Sequence, residues 1–134
     1  MSLGPALVSI MRQGSYLIAS VHTALDDGQM VRFRTDLIEQ IGRYRSRGVI
    51  IDVAALDVLD SFGSRTLGTI AEMARLRGAV TVIVGIQPDV AFAMVELGMG
   101  VGAVPTALDL EEGLELLDRR VGDARGDRSA GPRR

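Results

Sequence analysis

Val49-Ile50-Ile51-Asp52-Val53-Ala54-Ala55-Leu56-Asp57-Val58-Leu59-Asp60-Ser61-Phe62-Gly63 carries the chain from an apolar run, through an acidic turn, into a helix pattern. Residues 49–53 read as an apolar strand. Leu67, Ile70, Ala71 and Ala74 recur at the spacing of one helix face. Ser61 therefore falls close to a helix N-terminus, where backbone N–H groups lack intrahelical partners and a hydroxyl is held near the surface. A phosphate added there would meet a favourable helix dipole while placing about two negative charges on an exposed turn. The stretch reads as a switch.

On its N-terminal side, residues 6–11 and 16–21 are short apolar runs separated by Arg12-Gln13-Gly14-Ser15, which predicts a hairpin with a Gly-containing loop. From Asp26 the period changes. Met30, Phe33, Leu37, Ile41 and Tyr44 predict a one-sided helix with Asp26 or Asp27 as N-cap, ended by Gly48. On the C-terminal side, the helix after Ser61 runs to about Arg77 and Gly78 marks its end. Residues 80–86 form a continuous apolar run, as expected of a strand covered on both faces. Pro88 opens a helix with Val90, Met94 and Leu97 on its stripe, up to Gly98. A weak strand is expected at residues 102–104. Asp109 with Glu112 resembles a capping box for a last helix lined by Leu110, Leu114, Leu117 and Val121. Gly113 inside that helix costs about 1 kcal/mol relative to Ala, so the helix reads as weak in isolation. Residues 122–134, with four Arg against two Asp and no periodic apolar positions, read as a disordered Arg-rich tail.

The order β-β-α-β-α-β-α-β-α indicates an α/β fold with a mixed, largely parallel sheet. Whether the helices sit on one face or cover both stays open. A chain of 134 residues with 47% hydrophobic content forms one domain with a real core, and 4% aromatic content makes that core aliphatic.

Composition also excludes chemistry. Without cysteine there are no disulfides, thiolate metal sites or cysteine nucleophiles. A net charge of −2 argues against general nucleic-acid binding. No apolar run approaches a membrane span, residues 1–5 lack the regions of a signal peptide, and a soluble cytoplasmic protein is expected. All 15 basic residues are Arg, so no Walker-type lysine is present. His22 is the only histidine and lies at a strand end without a neighbouring nucleophile, which suits a structural role. One His and no Cys leave no metal set and no cofactor is expected. Gly98, Gly100 and Gly102 follow a helix where a dinucleotide loop would follow a strand. Asp52 invites comparison with receiver-domain phosphoacceptors, but the acidic cluster and Lys that those sites need are missing. Asp60 and Ser61 are favoured N-caps in any α/β protein, so capping competes with switching as their role.

Three blocks carry a family resemblance. The first is the quoted stretch with Leu67-Gly68; the second is Gly85-Ile86-Gln87-Pro88 with Val95-Glu96-Leu97-Gly98. The third is Thr106-Ala107-Leu108-Asp109-Leu110-Glu111 with Gly113-Leu114. Over residues 7–120 the chain resembles a STAS domain of the anti-anti-sigma factor family, and within it the short RsbS-type proteins of the stressosome. The resemblance implies a single STAS domain over residues 1–121, with about five strands and about four helices, and no catalytic residues. It implies that Ser61 is the phosphoacceptor, with Asp57, Asp60, Phe62, Gly63 and Ser64 as its surroundings and partner surface. It also implies an RsbT-type serine kinase as partner, held by the unmodified protein and released on phosphorylation. RsbR-type STAS paralogues would join it in a large assembly, with self-association, a phosphatase to reverse the switch, and neither nucleic acid nor membrane as partner. The paralogues carry an extra sensor domain, for which this chain has no room.

Gly63-Ser64 stands where bulkier residues are expected in RsbS-type proteins. Gly63 is similar to the glycine of the Asp-Ser-Ser-Gly turn in simple anti-anti-sigma factors, whose partner is an anti-sigma kinase, and that reading stays open. So does modification of Ser64. A small-molecule-binding α/β domain would need a pocket of convergent polar groups.

Overall fold

The sheet opens with a hairpin in which β1 (Val8–Gln13) and β2 (Tyr16–Val21) run antiparallel, with Gln13 opposite Tyr16. Only Gly14 and Ser15 form the turn. Gly14 takes φ +60, as two-residue hairpin turns require, so Arg12 and Gln13 belong to β1 and not to the loop. The computed structural model describes residue 4 and residues 6–98 and 104–130.

Helix α1 (Asp27–Tyr44) starts at Asp26, which accepts the Gln29 N–H while the Gln29 side chain accepts the Asp26 N–H, a complete capping box. Met30, Phe33, Leu37 and Ile41 are buried as the period predicts. Tyr44 is instead 38% exposed, with the Arg12 guanidinium 4.4 Å above its ring. The helix ends at Arg45 in the left-handed conformation, not at Gly48. Gly48 begins β3 (Gly48–Asp52) and is small for another reason: a Cβ there would lie 2.7 Å from Leu117 Cδ1.

The remaining elements are α2 (Ser61–Leu76), β4 (Val80–Val84), α3 (Pro88–Glu96), β5 (Thr106–Ala107) and α4 (Leu110–Ala130). Strand β4 stops two residues earlier than its apolar run because Gly85 turns the chain at φ +81. Among the described residues the last strand is Thr106–Ala107, with the Pro105 carbonyl accepting the Ile83 N–H at 3.0 Å; residues 102 and 103 of the expected strand lie outside the described residues. Gly100 and Gly102 lie outside the described residues. Helix α4 continues past Gly122, where composition predicts an irregular tail, and Leu117 and Val121 are its buried apolar residues among those described.

Strand order is β1-β2-β3-β4-β5, with every pair after the hairpin parallel. A sheet growing in one direction through connections of one hand places its crossover helices on one face. Accordingly α1, α2 and α3 share a core with Leu17, Ala19, Val49, Ile51 and Ile83. The alternate strand positions Ile18, Ile50, Val82 and Val84 face the other way and meet Leu117 and Val121 of α4. Both faces are covered, three helices against one. Gly113 belongs to this second face: a Cβ there would collide with Val84 Cγ1, so its absence lets α4 lie on the sheet.

Candidate functional site

The connection from β3 to α2 is fixed at both ends before it reaches the turn. The Val53 N–H donates to Val84 O at 3.0 Å, and the Asp52 carboxylate accepts the Ala54 N–H at 2.9 Å. From the β4–α3 connection, Gln87 Nε2 donates to Ala54 O at 2.7 Å, and a Cβ on Gly85 would lie 2.8 Å from Ala54 Cβ. The Gly85-Ile86-Gln87-Pro88 block thus braces the loop that leads to Ser61. Asp52 is a loop-fixing acceptor here, which gives its carboxylate a structural role.

Past Ala54, Leu56 is buried and Leu59 packs against the core, while Asp57 and Val58 face solvent. A cavity of about 50 Å³ lies behind the turn, lined by Val21, Leu25, Met30, Leu56 and Leu59 among others.

Asp60 is the N-cap of α2, its carboxylate accepting the Gly63 N–H at 2.7 Å, and its carbonyl accepts the Ser64 N–H at 2.9 Å. Capping therefore falls to Asp60, which releases Ser61 from that role. Ser61 is the first helical residue, exposed, and its hydroxyl has no hydrogen-bond partner among the described residues. No base touches it.

The residues expected around Ser61 divide. Asp57 and Asp60 are exposed and Phe62 is half-buried against the core. Gly63 and Ser64 are buried and form no part of a surface. A Cβ on Gly63 would lie 2.9 Å from Leu59 Cδ1, so the small residue lets the turn close against the helix. Ser64 is 1% exposed, and its buried Oγ has no partner among the described residues, which keeps it from the surface. Helical periodicity explains the split: three residues on from Ser61, Ser64 turns inward with Leu67.

His22 does have a nucleophile beside it. Strand pairing brings Ser9 Oγ to 2.8 Å from His22 Nε2, a contact invisible in the linear sequence. Both are solvent-accessible, and among the described residues no third group orients the ring. A second cavity, of about 430 Å³, lies at the far end of α2, between that helix and the edge of β4. Of its charged lining residues Glu72, Arg75 and Arg120, the first two pair with each other at 3.0 Å. Among the described residues no group of His, Cys, Asp or Glu could hold a metal, and no helix is long and apolar enough to cross a membrane.

The sequence pattern of the STAS domain family matches residues 8–112. The chain is 30% identical over 101 residues to the RsbT co-antagonist protein RsbRA of Bacillus subtilis, covering 72% of this chain and 37% of that protein's length. A solved variant of RsbS from Moorella thermoacetica is 32% identical, with a TM-score of 0.74 over 86% of this chain and 97% of that one. A chain solved in work on the molecular architecture of the stressosome is 30% identical, with a TM-score of 0.68 over 84% of this chain and 97% of that one. The unphosphorylated anti-sigma factor antagonist SpoIIAA, at 16% identity and a TM-score of 0.61 over 86% of this chain and 98% of its own, shares the fold.

Proposed function

The chain belongs to the STAS domain family, and from that premise we propose that it is a non-catalytic regulatory scaffold of a bacterial stress-signalling assembly. In this reading it holds an RsbT-type serine kinase while Ser61 is unmodified and releases it once Ser61 is phosphorylated. The observation that supports it is the division of labour at the head of α2: Asp60 caps the helix and leaves the Ser61 hydroxyl exposed, without a partner among the described residues.

The kinase transfers the γ-phosphoryl group of ATP to Ser61 Oγ. The Oγ–P bond forms, the bond to the ADP oxygen breaks, and the hydroxyl proton passes to a base of the kinase. The product carries about two negative charges beside Asp57 and Asp60, so repulsion and the cost of desolvating phosphate weaken an interface formed on this turn. The helix N-terminus favours the same charge, so the fold survives the modification. RsbR-type STAS proteins are the expected co-assembling partners, a phosphatase resets the switch, and the site of action is the cytoplasm.

Incubating the protein with its kinase and ATP, then mapping phosphate by mass spectrometry, tests the reading. Label is expected on Ser61 and none on Ser64. Ser61→Ala is expected to retain the kinase in the presence of ATP, and Ser61→Asp to bind it more weakly. Equal kinase affinity for Ser61→Asp and the unaltered chain refutes the switch.

A further inference from the structure

Resting on Ser61 as phosphoacceptor, we infer that its phosphate is received by the guanidinium of Arg65, one turn along α2. The modification then withdraws a cation from the docking face as well as adding an anion to it.

Ser61 and Arg65 are four residues apart in one helix and both are exposed. Residues at that spacing are surface neighbours, with Cβ atoms about 6 Å apart. Every Cα–Cβ bond in a helix tilts toward the N-terminus, so the Arg65 side chain leans over the turn that Ser61 begins. An acidic group N-terminal to a basic one at this spacing is the favoured order. Guanidinium and phosphate also match as a two-pronged hydrogen-bonding pair.

Arg65 is available for this contact. Arg43 is paired with Glu39 and Arg75 with Glu72, each within its own helix. Arg65 has no ion pair among the described residues, and its helical neighbours at three and four residues are Ser61, Phe62, Gly68 and Thr69, none of them acidic. Asp60 steers the phosphate the same way. Its carboxylate already holds the Gly63 N–H at 2.7 Å, so the capping position is filled by a like charge. The phosphate is turned away from the cap and along the exposed face of α2, on which Arg65 lies one turn further on.

The test uses the full chain with phosphoserine placed at position 61 during translation, so no kinase is needed. Phosphorus NMR follows the second ionisation of that phosphate in the unaltered chain, in Arg65→Gln and in Arg65→Lys. With Arg65 present the midpoint is expected about 0.3 pH units below that of Arg65→Gln, with Arg65→Lys retaining part of the drop. The difference is expected to shrink in about 0.5 M salt. Asp57 and Asp60 are the same in all three chains and cancel from the comparison. Thermal melting of unphosphorylated Arg65→Gln should match the unaltered chain, because an exposed, unpaired side chain supports nothing. Coincident midpoints overturn the Arg65 assignment alone. Failure of the kinase to label Ser61 overturns the parent reading and leaves this measurement standing.

Discussion

The two faces of the sheet are held by opposite means. On one, α1, α2 and α3 bury large side chains such as Phe33, Leu37, Leu67 and Ile70. On the other, α4 lies alone against Ile18, Ile50, Val82 and Val84, and its approach depends on side chains that are missing, at Gly48 and Gly113. On the three-helix face, α2 is anchored by a row of buried residues behind Ser61. The α4 face is anchored by a shorter row, Leu117 and Val121. The proposed modification at Ser61 would fall where the anchoring core and the exposed surface are separate.

The sharpest test of this contrast is Gly113→Ala. Helix propensity alone would gain about 1 kcal/mol. Against that, the new Cβ would collide with Val84 Cγ1 of a stiff, fully buried strand residue. Overpacking is expected to prevail, with a net loss of about 1–2 kcal/mol in denaturant unfolding. A gain in stability would show that α4 is free to shift and that the two faces differ less than their packing implies.

Asp60→Ala comes next. Loss of the 2.7 Å bond to the Gly63 N–H is expected to cost about 1 kcal/mol, read as a lower melting temperature. Hydrogen exchange should quicken in the first turn of α2 while β3 and β4 keep their protection. Exchange spreading into the strands would mean that the turn at Asp60 and Ser61 and the core are one cooperative unit.

The smallest effect is expected from Ser64→Ala. Its hydroxyl is buried without a partner among the described residues, so removing it relieves a desolvation cost. Stability is expected to stay level or rise by about 0.5–1 kcal/mol, with phosphate labelling of Ser61 unchanged. A clear loss of stability would reveal a hydrogen bond formed there in solution.

Much of the fold was legible because its signals are local. The step-three-and-four spacing of Met30, Phe33, Leu37 and Ile41, the Asp26 cap, the Gly78 stop and Pro88 at a helix start each depend on neighbours a few residues away. The glycines were legible as small residues but not as to cause. Gly48 looked like a helix stop and Gly113 like a weak point, yet both are contact points between α4 and the sheet. For the candidate site, the acidic turn and Ser61 stood out at once. The burial of Ser64 and the bracing of Ala54 by Gln87, 33 residues away, did not.

Periodicity and capping chemistry by themselves determined the order of elements and put Ser61 at the head of a helix, because both act within a turn or two of chain. Tertiary structure alone decided which face α4 covers, which of two neighbouring hydroxyls reaches solvent, and that Ser9 meets His22. Those outcomes depend on strand pairing and on the direction in which a helix rolls onto its sheet, and such contacts join residues that the linear pattern keeps apart.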